Sequence, residues 1–228
     1  MRKVLLALFI GLTVSVVAQE KDANTFKNDG NVSYKEKDYA GAFEAYAKAL
    51  ELLDAEGTVD EALNYNAGYC AYKAKKYDES ITYFKKAMDQ GYKESKPYQM
   101  VAVIHYKSDK IDEMIEVCHA GLEKYASDDK LMDYASKGYL KKGLEFYNEG
   151  NKIKKAANDS GLNESDAEAF NAEYARADEE FKKALPFMVK SYEMDNTNDK
   201  ALKALENIYT NLEMTEKAEE IKAKLGGN

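Results

Sequence analysis

Residues 39–50, YAGAFEAYAKAL, set the pattern by which the rest of the chain is read. A bulky Tyr39 is followed by small Ala42, bulky Tyr46, and the small-large pair Ala49-Leu50. The pattern returns as Tyr77-Ser80-Phe84-Ala87-Met88, loosely as Ile111-Met114-Cys118-Gly121-Leu122, and again as Phe181-Ala184-Met188-Ser191-Tyr192. Its anchors Ala42, Ser80, Met114, Ala184 and a weaker Ala218 stand 38, 34, 70 and 34 residues apart. One period near 34 accounts for every gap, with residues 56–59 as an insertion in the first and a doubled unit in the third. A period of that size is the signature of stacked helical hairpins. Each hairpin is too thin to bury its own apolar face, so its neighbours must supply the core.

The chain between the anchors divides accordingly. Expected hairpins cover about 24–53, 61–89, 95–125, an elongated 130–194, and 199–225. Asp38 reads as the first turn, Gly91 as a helix stop and Pro97 as a first-turn residue, where its missing N–H costs nothing. A helix from Lys130 to Ala157 would be about 40 Å long, so the fourth hairpin should protrude. Ser165 followed by Glu168 reads as a capping box, and Pro186 should bend or break the helix that contains it. Gly30, Gly68 and Ala102 form a column of small residues where first helices cross second ones.

The opening residues are a different text. Arg2 and Lys3 precede an apolar run from Val4 to Val17 that ends at Ala18, which reads as a secretory signal peptide over 1–18 with cleavage before Gln19. The run is shorter than the roughly 20 residues a membrane-spanning helix needs, so no membrane span is expected after cleavage. The remaining 19–228 form a single helical repeat domain in this reading, exported to the periplasm or the exterior. With 33 basic and 41 acidic residues the chain carries a formal charge of −8, which argues against nucleic acid as a partner. Cys70 and Cys118 fall on different helices of different units and read as free, buried thiols with no disulfide between them.

No catalytic pattern emerges. His105 and His119 are the only histidines, and both read as satisfied residues between helices. Adjacent Cys118 and His119 point about 100° apart on a helix and cannot form a nucleophile pair. No metal or cofactor is expected, and the chain reads as a non-enzymatic binding protein. The informative positions lie on the first helix of each hairpin. Tyr34-Lys35, Tyr72-Lys73 and Tyr106-Lys107 keep the beat of the anchors, 38 and then 34 residues apart. Stacking would line them up as a ladder of phenols and ammonium groups, suited to an acidic or extended polypeptide. A lysine in a last helical turn also steadies the helix dipole without any ligand, so the ladder has a structural reading as well.

On these residues the chain resembles the tetratricopeptide repeat proteins from Asn24 to Leu225. Residues 31–50 match the second half of the repeat well, and the unit at Met114 and Cys118 is degenerate. The family's opening tryptophan is replaced by Phe26, Asn64, Tyr98 and Leu202, the polar Asn64 being the clearest departure. The resemblance implies an all-α fold, a right-handed superhelical solenoid of antiparallel helix hairpins with one elongated hairpin. It also implies a protein-protein interaction scaffold. Chaperone-binding members hold a peptide's free C-terminal carboxylate in a clamp of lysines and asparagines. Lys27, Asn31, Asn66 and Lys96 match four clamp positions, and Met100 stands at the fifth, normally basic one. The other readings are an oligomerising module acting through the elongated hairpin, motivated by its length and the alternating charge over 173–183, and carbohydrate binding on stacked tyrosines.

Overall fold

The structure is a computed structural model that describes residues 21–226. The expected signal peptide therefore lies outside the described residues. Eleven helices run in order, with no strand among the described residues: α1 Ala23–Lys35, α2 Tyr39–Ala55, α3 Glu61–Lys73, α4 Tyr77–Asp89, α5 Lys96–Lys107, α6 Ile111–Lys124, α7 Asp129–Asp159, α8 Leu162–Ser165, α9 Ala167–Met194, α10 Asp199–Asn211 and α11 Thr215–Gly226. No helix among the described residues is long and apolar enough to cross a membrane. Successive helices pack as antiparallel pairs, and each pair packs on the next, which is the architecture of a tetratricopeptide-type solenoid.

Local sequence sets the boundaries. Asp22, Asp38, Asp60, Asp128 and Asp166 each accept a hydrogen bond from a backbone N–H of the helix they precede, at 2.7–3.0 Å. Read from sequence, the first helices of the first two hairpins run to Lys37 and Lys75, whereas in the structure they stop at Lys35 and Lys73. The reason is that Lys37 (φ 63°) and Lys75 (φ 62°) turn the chain in the left-handed region, as Asp109 and Glu213 do in later hairpins. Two further expectations are corrected at the long hairpin. Ser165 is not a capping residue: its hydroxyl donates to Gly161 O at 3.1 Å within the short α8, and Asp166 caps α9. Of the bend or break expected at Pro186, the break is excluded, since α9 is continuous from Ala167 to Met194. Pro186 is exposed, so the carbonyl of Lys182 that it leaves without a partner faces water.

The anchors Ala42, Ser80, Met114 and Ala184 are all fully buried. Large side chains from second helices lie against the small residues of first helices. A Cβ on Gly68 would sit 2.9 Å from the Phe84 ring, one on Gly30 2.5 Å from Tyr46, and one on Gly150 2.8 Å from Phe181. Polar groups inside this core are mostly paired. Ser80 Oγ donates to Gly68 O at 2.8 Å, and Ser136 and Ser191 each donate to the other's carbonyl, at 2.9 and 3.0 Å. Asn64, in the tryptophan column, is fully buried and donates to Asp60 O and Gln90 Oε1, while its own Oδ1 has no partner.

The 31-residue α7 is about 46 Å long. Its first half packs under α6 and its whole length packs on α9. The shorter α10 ends level with Lys154, whose Nζ donates to Asn211 Oδ1 at 2.8 Å and pairs with Asp178 at 3.3 Å. Beyond that level the α7–α9 hairpin continues without α10.

Cys70 and Cys118 are free and fully buried, and burial pushes both thiols from the ordinary 9.0 up to about 12. Both are expected to stay inert to a thiol-disulfide reagent until the chain is unfolded. The sign for stability follows: the protonated thiol is favoured in the folded state. Its contribution is complete below pH 9 and is lost as pH rises from 9 to about 12, which urea titrations across that range check.

Candidate binding surface

The crossing column Gly30, Gly68 and Ala102 fixes how each first helix sits on its partner. One turn further along, Tyr34, Tyr72 and Tyr106 occur at equivalent places on α1, α3 and α5. Their surroundings differ. Tyr34 is 43% exposed and lies edge-on to Tyr39, with centroids 5.9 Å apart, and 6.3 Å from Tyr69. Tyr72 is half-buried, 6.0 Å from Tyr77. Tyr106 is 48% exposed, with Tyr134 of α7 at 6.5 Å.

The lysines of the ladder reach backwards along the stack. Lys73 places its Nζ 5.2 Å from the centre of the Tyr39 ring in the preceding hairpin. Lys107 places its Nζ 4.9 Å from the Tyr72 ring centre and donates to the Tyr72 hydroxyl at 2.8 Å, and that bond raises the Lys107 pKa. Lys35 belongs to the first hairpin and has no earlier unit to reach; it makes no hydrogen bond or ion pair among the described residues. So the Tyr-Lys pairs staple neighbouring hairpins together while leaving rings and ammonium groups open to solvent.

The clamp positions are mostly engaged within the chain. Lys27 pairs with Asp60 at 2.6 Å, Asn31 Oδ1 accepts from the Tyr46 hydroxyl at 2.8 Å, and Lys96 pairs with Glu94. Asn66 is exposed and makes no hydrogen bond among the described residues. Met100 at the fifth position is partly buried against Phe84, Val101 and Ile104.

The ladder runs on where sequence reasoning stopped. Leu140-Lys141 stands 34 residues after Tyr106-Lys107 on α7, with leucine in place of tyrosine, and Lys141 reaches back to Asp109 in the preceding turn. There the surface opens into a cleft of about 550 Å³ between α5, α7 and the start of α10. Tyr106, Lys137, Lys141, Leu144, Asn148 and Lys200 line it. The same 34-residue beat that relates the first three pairs marks the fourth, with an aliphatic residue in the tyrosine's place. Among the described residues no cluster of three His, Cys, Asp or Glu could hold a metal ion. Of the two histidines, His119 Nε2 hydrogen bonds with the Tyr139 hydroxyl at 2.6 Å. His105 departs from the expectation of a satisfied residue: it is buried and its Nδ1 has no partner.

No protein-family profile matches the chain. Tetratricopeptide repeat protein 4 of Bos taurus is 28% identical over 123 residues, covering 52% of this chain and 30% of its own length. The Homo sapiens protein of that name is 26% identical over 131 residues, covering 55% and 33%. The chain thus spans about a third of the length of the curated relatives it matches. A solved TPR repeats protein from Bacteroides fragilis aligns over 83% of this chain and 98% of its own, at 23% identity and a TM-score of 0.55. The TPR domain of P58(IPK) aligns over 87% and 58%, at 15% identity and a TM-score of 0.51. These likenesses establish a helical repeat solenoid of the tetratricopeptide kind.

Proposed function

We propose that this chain is a non-enzymatic interaction scaffold of the cell envelope that lays an extended, acidic polypeptide along its inner surface, from Tyr34 to the cleft at Lys200. The observation that carries the reading is the exposure of Tyr34 and Tyr106. They are two of only four large apolar or aromatic side chains left exposed among the described residues, and both sit on equivalent turns of the same face. Rings held on rigid helices offer contact area at small entropic cost, and the lysine beside each rung supplies a donor for carboxylates. The binding should weaken with added salt, since the lysines are solvent-facing.

The test is capture from an envelope extract on the immobilised protein, with Tyr34→Ser/Tyr106→Ser as the comparison. Both rings are nearly half exposed and neither belongs to the fully buried core, so the variant is expected to keep its helical circular dichroism, which is measured alongside capture. A partner held by the parent chain and lost from the variant supports the groove; one held equally by both overturns it. Shortening α7 and α9 beyond Lys154 and Asp178 should leave capture unchanged, whereas a scaffold assembling through its long hairpin would lose it.

Envelope placement rests on the leader at 1–18. Mass spectrometry of the mature N-terminus is expected to find Gln19 as the first residue. Recovery of a chain that keeps Arg2 and Lys3 would rule out cleavage.

A further inference from the structure

The elongated hairpin displaces the helices that follow it. Asn211 stands 70 residues after Lys141 and so holds the same place in its unit. In the regular stack such places lie level with each other, as the Lys107 bond to the Tyr72 hydroxyl shows. Asn211 instead meets Lys154, a shift of about 20 Å along α7. The first turn of α10 therefore comes to rest beside the middle of α7, close to the last turn of α5. The cleft of about 550 Å³ fills the gap between those two helix ends. Its floor is one stripe of α7, made by Lys137, Lys141, Leu144 and Asn148 at helical spacing.

Leu144 is half-buried and lies beside buried Leu140 and the exposed Tyr106 ring, so part of the cleft is apolar. Three ammonium groups, of Lys137, Lys141 and Lys200, line it against one carboxylate, that of Glu145. Lys137 and Lys141 are also paired with Asp133 and Asp109, in exposed contacts of a kind that contributes little and exchanges readily. Lys200 and Asn148 are different. They stand on two separate helices, both are exposed, and neither side chain makes a hydrogen bond or ion pair among the described residues. The backbone N–H groups of Lys200 and Ala201 are taken by Asn198 Oδ1, so the donors open to a ligand are these side chains. A free ammonium and a free amide beside an apolar floor suit one carboxylate carried next to one aliphatic group.

We infer that this cleft, within the reading of the inner face as a polypeptide groove on which the inference rests, is the pocket that selects the partner's sequence. It receives a leucine-sized aliphatic side chain on Leu144 and, from the next residue, a glutamate or aspartate carboxylate on Lys200 and Asn148. The probes are hexapeptides blocked at both ends, acetyl-Ser-Gly-Leu-Glu-Ser-Gly-amide with its Leu-Gln and Ala-Glu versions; the blocked ends remove any terminal carboxylate. Amide signals of Leu144, Asn148 and Lys200 are followed by NMR in the isotope-labelled protein. The Leu-Glu peptide is expected to shift them saturably. The Leu-Gln and Ala-Glu versions should each bind about tenfold more weakly, for the loss of a charge-assisted bond and of a buried aliphatic group. Lys200→Met alters an exposed side chain and should abolish the preference for Leu-Glu over Leu-Gln, and Asn148→Ala should reduce it about threefold. Equal binding of Leu-Glu and Leu-Gln by the parent chain, an undiminished preference in Lys200→Met, or no saturable shift would overturn the pocket. Capture from envelope extract separates the pocket from the wider groove. If Tyr34→Ser releases a partner that Lys200→Met retains, the pocket fails and the groove stands. If the peptide preference holds while neither variant releases a partner, the groove fails and the pocket stands as a peptide site.

Discussion

Replacing Phe84 with Ala is expected to cost about 3–5 kcal/mol of folding stability, the range for deleting a fully buried aromatic ring. Phe84 has no exposed surface, and it lies between Gly68 of its own hairpin and the Val101–Ile104 stretch of the next. Removing it opens a cavity where two repeats meet, and neither helix can close in because each is also held by its other neighbour. Domains of this size have about 5–15 kcal/mol in total, so the urea midpoint should fall by a large fraction of its value. A loss below about 1 kcal/mol would mean that the hairpins do not share this side chain as a joint core.

Gly68→Leu should destabilise the chain by about 1–3 kcal/mol, from the opposite direction. A Cβ at Gly68 would lie 2.9 Å from Phe84 Cδ1, closer than van der Waals contact allows, and α3 is packed on both sides and cannot retreat. A larger side chain would also press on the Ser80 Oγ bond to Gly68 O. The informative variant is the double one. In Phe84→Ala the space is already open, so adding Gly68→Leu should cost less than it does alone, and the two effects should fall short of additivity by about 1 kcal/mol or more. Strict additivity in urea unfolding would show that the glycine column and the aromatic anchors are not in register.

The fold was readable because its cause is local and repeated. Each large residue of a second helix meets one small residue of the first, Tyr46 on Gly30 and Phe84 on Gly68, so the repeated spacing announces the helix, its buried face and its neighbour together. What stayed hidden depended on contacts between units. Nothing in residues 33–38 distinguishes a helix ending at Lys37 from one ending at Lys35, since the left-handed turn at Lys37 is imposed by the return of α2. Pro186 reads as a bend or a break from sequence because its exposure, which lets the helix continue through it, is a property of the packed hairpin. The Tyr-Lys pairs were legible as a ladder, but not the backward reach of Lys73 and Lys107 onto the previous hairpin. The unpaired Nδ1 of His105 lay further from view, because whether a buried imidazole finds a partner depends on the helices packed around it.

In the proposed function, the beat which builds the core also builds an inner face that holds a polypeptide. A photoreactive phenylalanine analogue placed at position 106, on the inner ladder, and separately at exposed Thr82 of α4, on the outer side, is the test in cells that make the protein. Irradiation is expected to give a covalent adduct with a second polypeptide from position 106 and none from position 82. Adducts from position 82 alone would place the partner on the outer helices and contradict the account.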